Sequence, residues 1–312
     1  MSMDVAALLS RLKANLCHVI RGKDGAVDRF LVALLSNGHI LMEDVPGVGK
    51  TTLAKALARS LQAEFRRIQF TPDLLPTDIV GGMIYSPKTG EFSFRPGPVF
   101  CNVLLGDEIN RASPRTQSAL LEAMSERQVT IEGQRHELQR PFIVVATQNP
   151  VEYHGTYPLP EAQLDRFAMR LELGYPDEES EMAVVTDQRS VHPLESLGPV
   201  ADTHDLVAAQ DAVCAVHVEP TVVRYMTRLV RATREDPRLR LGASPRAALV
   251  LFRSCQAQAL LRGRDYVTPD DVRELAVPVI AHRLVLDTKA SYSGTRKQGV
   301  VTDILDRVSV PA

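Results

Sequence analysis

The octapeptide Asp44-Val45-Pro46-Gly47-Val48-Gly49-Lys50-Thr51 lies between an apolar tetrapeptide, His39-Ile40-Leu41-Met42, and a segment with Leu53, Leu57 and Leu61 spaced four apart. The first flank reads as a buried strand and the second as one stripe of a helix, so the octapeptide is the turn of a strand-turn-helix unit. Its glycines, Gly47 and Gly49, lack side chains that would keep backbone N–H groups from phosphate oxygens. Lys50 is placed for the β- and γ-phosphates and Thr51 for Mg²⁺. The strict phosphate-loop pattern has Gly where this chain has Asp44, so the reading rests on strand, turn and helix together rather than on the motif alone.

Farther along, Val103-Leu104-Leu105-Gly106-Asp107-Glu108 is an apolar strand that ends in paired carboxylates, and Ile143-Val144-Val145-Ala146 runs into Thr147-Gln148-Asn149. Continuous apolar runs of this length belong to parallel sheets covered on both faces. Open α/β sheets bind ligands at the carboxyl ends of their strands. Asp107 is therefore a candidate for holding Mg²⁺, Glu108 for taking the proton of an attacking water, and Asn149 for orienting that water. Ser113-Pro114 opens a helix through Leu120 and Met124 as cap and first residue.

The rest of the chain frames this core. Alternating residues flank turns at Pro87–Gly90 and at Gly133, which predicts hairpins near 84–94 and 129–138. From Tyr175-Pro176-Asp177 to Gly198-Pro199, a short acidic helix mixes with Pro and Gly punctuation. We expect an α/β domain over 1–180, a connection over 181–200 and an all-helical domain over 201–312, with helices opened by Glu219-Pro220, Ser244-Pro245 and Thr268-Pro269.

Among 312 residues, 36 Lys and Arg balance 38 Asp and Glu, for a net charge of −2 without a basic stripe. That argues against a nucleic-acid motor or loader. No apolar run approaches the ~18 residues of a membrane span. Cys17, Cys101, Cys214 and Cys255 are isolated, and the N-terminus lacks the order of a signal peptide, so we expect a cytoplasmic protein. A small-molecule kinase or GTPase switch is disfavoured by the helical second domain and by the lack of a guanine-reading motif.

Longer runs carry a family resemblance. Leu41–Thr51, Phe70–Pro76, Asp107–Ala112, Ala146–Pro150, Gly155–Phe167 and Gly242-Ala243-Ser244-Pro245-Arg246 together resemble the MoxR family of AAA+ ATPases over nearly the whole chain, and Asp44 is usual there. The resemblance implies a P-loop NTPase αβα core with a parallel sheet and a helical lid. It implies ATP with Mg²⁺ held by Pro46, Gly47, Val48, Gly49, Lys50, Thr51 and Thr52, the metal by Thr51 and Asp107. It further implies Glu108 as general base, Asn149 as the sensor-1 residue, Arg246 as the sensor-2 arginine of the lid, and Arg166 as an arginine finger for the neighbour's γ-phosphate. The same resemblance implies a homo-oligomeric ring, commonly a hexamer, that remodels protein clients or matures metalloenzymes, with partners carrying von Willebrand factor A domains. The hairpin with Phe92 and Phe94 is similar to a helix-2 insert, whose place is the central surface of the ring; packing on the core is the alternative for both rings. For Arg166 the alternative is an ion pair with Asp165 or Glu161, and for Arg246 a solvated helix face. Arg111 and Arg115 read as surface arginines, with a place facing the next subunit as the alternative, and His136 and His154 receive no role.

Overall fold

The computed structural model describes residues 4–149, 156–187 and 192–311. Pro150, His154 and Gly155 lie outside them. Two helices that the sequence reading left unassigned come first, α1 (Val5–Val19) and α2 (Asp24–Leu35), with Leu8, Leu12, Leu16, Val27, Phe30 and Leu34 buried. The strand-turn-helix unit follows as β1 (Ile40–Glu43) and α3 (Lys50–Ser60). Then come β2 (Phe65–Gln69), the short α4 (Pro76–Val80), the hairpin β3 (Gly81–Ser86) and β4 (Glu91–Pro96), and β5 (Val103–Asp107). Ser113 caps α5 (Pro114–Glu126) through the N–H of Thr116. The second hairpin is β6 (Gln128–Ile131) and β7 (Gln134–Glu137), turning through Glu132 and Gly133 at φ 49° and 78°. Both central residues at positive φ make the turn that matches strand twist, and Gly takes such a φ without strain. β8 (Ile143–Gln148), α6 (Glu161–Leu164) and β9 (Met169–Leu171) complete the core.

The sheet is five-stranded and parallel, in the order β2-β5-β8-β1-β9. Its central strands are buried on both faces, which is why they read as unbroken apolar runs. Ile40, Met42, Val103, Leu105 and Val145 face α1, α2 and α3, whereas Leu41, Leu104, Val144 and Ala146 face α5. The edge strands β2 and β9 are not apolar runs: Phe65-Arg66-Arg67-Ile68-Gln69 exposes Arg66, Arg67 and Gln69, as an edge strand can. In register, Glu43 meets Gln148 and Gln69 meets Asp107, so the phosphate loop and both candidate strand ends share one edge of the sheet.

Beyond the core are α7 (Glu178–Asp187) and α8 (Pro193–Ser196), then α9 (Thr203–Val213), α10 (Pro220–Glu235), β10 (Leu239–Leu241), α11 (Pro245–Leu261), α12 (Pro269–Ile280), β11 (Val285–Leu286), α13 (Thr288–Tyr292) and α14 (Lys297–Arg307). The expected caps Glu219, Ser244 and Thr268 all precede their helices, and Thr268 with Asp271 forms a reciprocal capping box. One departure from an entirely helical second half is the short antiparallel pairing of β10 with β11.

The helical part is not a separate globule. Its buried Leu206, Leu251, Val272 and Ile304 belong to the same apolar cluster as α1, α2 and one face of the sheet. Gln210 donates to the carbonyl of Leu34, and the N–H groups of Val200 and Ala201 reach the carbonyl of Ser60. Ser60 ends α3, far from the phosphate loop, so the lid is anchored at the amino-terminal ends of the strands. No helix among the described residues is long and apolar enough to cross a membrane.

Candidate active site

At the carboxyl edge of the sheet a cavity of 340 Å³ is lined by Pro46, Gly47, Gly49, Lys50, Thr51 and Thr52 from the phosphate loop, and by Asp107, Glu108 and Asn149 from the strand ends. Gly47 and Gly49 stand at φ 86° and 97°, the region that a side chain disfavours, and a Cβ on Gly47 would meet nothing within 4 Å. The loop thus presents bare backbone to an open concavity at the start of α3, a geometry that suits an anion. Val48 lines an adjoining cavity of 170 Å³ with Val19, Ile20, Val184 and Pro193. Arg21, Lys23, Asp187 and His192 line it too, so the slot beside the glycines offers both apolar walls and polar edges, which suits a nucleotide base.

Asp44 explains the departure from the strict motif. Its buried carboxylate accepts from the N–H of Val45 (3.0 Å), Leu173 (2.6 Å) and Gly174 (2.7 Å). A side chain at this position therefore ties the loop to the segment after β9, which glycine cannot do. Lys50 Nζ donates to the Asp44 carbonyl at 2.7 Å. Burial draws the Lys50 pKa below the ordinary lysine value, against the opposing pull of Asp44, Asp107 and Glu108.

The two carboxylates are held by residues for which the sequence suggests no such contact. Thr147 Oγ1 donates to Asp107 Oδ1 at 2.7 Å and accepts from the Glu108 N–H at 2.9 Å. Glu108 itself has φ 56°, a left-handed conformation uncommon for such a residue and found at sites where the surroundings impose it. Gln69 donates to Glu108 Oε2 at 2.7 Å, and Arg111, expected at the surface, donates to the same oxygen at 2.9 Å. Arg67 forks onto Asp107 Oδ2 at 2.8 and 3.1 Å. Arg67 and Gln69 come from the polar edge strand β2; their alternation was the only available signal.

The donors fit a hard cation that shares its ligands with phosphate. Thr51 and Asp107 offer oxygen from the same cavity wall, and among the described residues no cluster of three His, Cys, Asp or Glu forms a closed cage. Mg²⁺ is bound in this manner, through one or two protein oxygens with nucleotide phosphates and water.

Arg166 and Arg246 are not in this cavity. Both line a second one, of 280 Å³, with His39, which precedes β1. At ~3.3 Å rise per residue, His39 and Asp44 stand about 16 Å apart along β1, so the two cavities open at opposite ends of the strand. Arg166 pairs with neither Asp165 nor Glu161; it donates to the Leu121 carbonyl and, at 2.8 Å, to Ser125 Oγ on α5. Asp165 instead pairs with Arg283. Arg246 is exposed in the first turn of α11, and the run before it is a lock: a Cβ on Gly242 would lie 2.7 Å from the Arg234 backbone, while Ala243 bonds to Arg234 and Thr233.

The hairpins divide the two phenylalanines. Tyr85 opposes Phe92 and Met83 opposes Phe94, so all four share one face. Phe94 is half-buried against Phe100 and stacks on His136 at 4.0 Å, joining one hairpin to the other; Phe92 is 66% exposed beside Tyr85. His136 thus has a packing role that the sequence reading did not give it.

Comparison with known proteins agrees with this geometry. Residues 39–169 match the model of the ATPase family associated with various cellular activities (AAA), and residues 231–304 match the AAA lid domain. The chain is 48% identical to the uncharacterized protein YeaC of Bacillus subtilis, covering 99% of this chain and 96% of the relative. It is 44% identical to Chaperone MoxR1 of Mycobacterium tuberculosis, covering 97% and 82%, and 32% identical to Protein MoxR of Methylorubrum extorquens, covering 97% and 94%. A crystal structure of a provisionally named ATPase from Cytophaga hutchinsonii superposes with a TM-score of 0.90 at 38% identity, covering 99% of this chain and 96% of that one. A phosphate loop, paired carboxylates and a helical lid on one parallel sheet, together with relatives matched over almost their full lengths, show that this chain is an ATPase and belongs to the MoxR family of AAA+ proteins.

Proposed function

We propose that the chain works as a homo-oligomeric ring, a hexamer, that binds ATP with Mg²⁺ between adjacent copies and uses hydrolysis to remodel or mature protein complexes. One observation carries the reading: Arg166 and Arg246 stand together at the opposite end of β1 from their own Lys50. In this arrangement each copy supplies Lys50 and the loop backbone to the phosphates, Thr51 and Asp107 to the metal, Glu108 to the attacking water and Asn149 to its orientation. The next copy supplies Arg166 and Arg246, whose planar, permanently charged forks suit a loose phosphoryl transition state. Mg²⁺ would add neutralisation of the β- and γ-phosphate oxygens.

Clients, on this reading, meet the exposed Phe92 and Tyr85 face, and an adaptor with a von Willebrand factor A domain is the partner that the family implies. The free cysteines among the described residues suit a cytoplasmic location. The deciding experiment mixes Arg166→Ala subunits, which keep a sound phosphate loop, with Lys50→Ala subunits, which keep a sound finger. Mixed rings should recover part of the activity that neither variant has alone. Mixtures that stay inactive after demonstrated co-assembly would place Arg166 in its own subunit's chemistry and end the ring reading. Stimulation of turnover by nucleic acid would replace the protein client with a nucleic-acid one.

A further inference from the structure

The cavity beside His39 gathers four arginines, Arg127, Arg166, Arg246 and Arg253, and no Asp or Glu is among its lining residues. Two of the four rest on neutral oxygens: Arg166 on Leu121 and Ser125, and Arg253 on Gln256 at 2.9 Å. The side chains of Arg127 and Arg246 make no hydrogen bond or ion pair among the described residues. Like charges gathered without a counterion raise the energy of the free protein, and an oxyanion removes that cost. Their field reaches His39, whose pKa is pushed down to about 4 by burial first, with Arg127 and Arg246 adding to the effect.

Arg127 and Arg253 are the members of this set that no motif explains, and of the two only Arg253 has a side-chain partner among the described residues, Gln256. Arg127 ends α5 at φ 51°, with its N–H on the Ala123 carbonyl at 3.0 Å and its own carbonyl accepting from Leu138 at 2.9 Å. The backbone is therefore fixed on both sides while the half-buried guanidinium enters the cavity. A helix carboxyl terminus favours a cation, which accounts for a positive charge here but not for its convergence with three others.

We propose that Arg127 is a third phosphate-binding cation of this cavity, acting with Arg166 and Arg246 on the triphosphate held at the phosphate loop of an adjacent copy. This rests on the ring reading above. The ligand chemistry is a polyphosphate oxyanion, for which several guanidinium forks offer paired N–H donors.

The test uses the full chain with Arg127→Gln, which removes the charge at similar length, and Arg127→Lys, which keeps it. Arg127→Gln should lower kcat by about 10- to 100-fold, the worth of one charged hydrogen bond, with the KM for ATP and the melting temperature little changed. Arg127→Lys should recover part of the loss. Mixing Arg127→Gln subunits with Lys50→Ala subunits should restore activity, as is expected of the Arg166→Ala mixture. An unchanged kcat for Arg127→Gln, beside a severe loss in Arg166→Ala, overturns the proposal and leaves the ring intact. So does a kcat defect that mixing repairs for Arg166→Ala but not for Arg127→Gln, since Arg127 would then serve its own subunit or a free anion. Failure of both mixtures after co-assembly overturns the ring reading, and this proposal with it.

Discussion

The Asp165 carboxylate and the Arg283 guanidinium meet at 2.8 Å across the seam between the α/β core and the helical lid. Arg283 is buried and also donates to the carbonyls of Phe167 and Ala168, while the second oxygen of Asp165 accepts from Ser244 at 2.9 Å. Ser244 opens the helix that carries Arg246, and Asp165 precedes Arg166. One carboxylate therefore sets both candidate phosphate-facing arginines relative to each other. Asp165→Asn should leave the Arg283 charge poorly compensated and destabilise the chain by about 3 kcal/mol. Pairing it with Arg283→Met should restore much of the melting temperature but not the turnover. Recovery of both together would show that Asp165 has a stability role only.

Lys50→Ala should abolish nucleotide binding, because it removes the lysine that lines one cavity with the loop glycines, Asp107 and Glu108. Glu108→Gln should bind ATP normally and lose turnover, and Asn149→Ala should lower kcat while sparing affinity. Calorimetric binding set beside steady-state rates separates the two classes. Wild-type turnover in Glu108→Gln would remove the general-base assignment.

Converting Asp44 to glycine restores the strict motif and should harm the protein. The change leaves the N–H groups of Leu173 and Gly174 without their acceptor, at a cost of about 2 to 3 kcal/mol. Denaturant melts should show this loss. A variant as stable as the wild type would mean that water replaces the carboxylate.

Acid should destabilise the fold in a defined window. His39 is buried and neutral, with Nδ1 accepting from Val144 N–H and Nε2 facing the Met124 carbonyl. With its pKa pushed down to about 4 from 6.5, the unfolded chain binds the proton first, so stability is full above pH 6.5 and falls as the pH drops toward 4. The contribution is on the order of 3 kcal/mol. His39→Gln, whose amide both donates and accepts, should flatten that limb of the stability profile. A profile as steep as the wild type's would shift the effect to His282, whose pKa burial also lowers.

Phe92→Ser should weaken client remodelling with basal ATPase and melting temperature nearly intact, because the ring is exposed. Phe94→Ser should instead lower stability by about 1 to 3 kcal/mol, since it removes the contacts with Phe100 and His136. Equal melting losses in both variants would assign both rings to packing.

The sequence by itself determined the parts of this protein whose signals are local. Strand, glycine turn and helix around Lys50, the apolar runs ending in Asp107-Glu108 and Asn149, both hairpins and the caps at Ser244 and Thr268 all depend on residues within a few positions of one another. Arg67, Gln69 and Thr147 stayed hidden because they reach the two carboxylates across strands, through register rather than through spacing. The place of Arg246 was decided by tertiary structure alone. Its helix packs on α2, and the lid shares one apolar cluster with α1, α2 and the sheet, which seats it at the amino-terminal ends of the strands. Burial of apolar surface has no preferred direction along the chain; the fit of that lid face against α1 and α2, with the Asp165 contacts to Arg283 and Ser244, puts Arg246 beside Arg166 and away from Lys50.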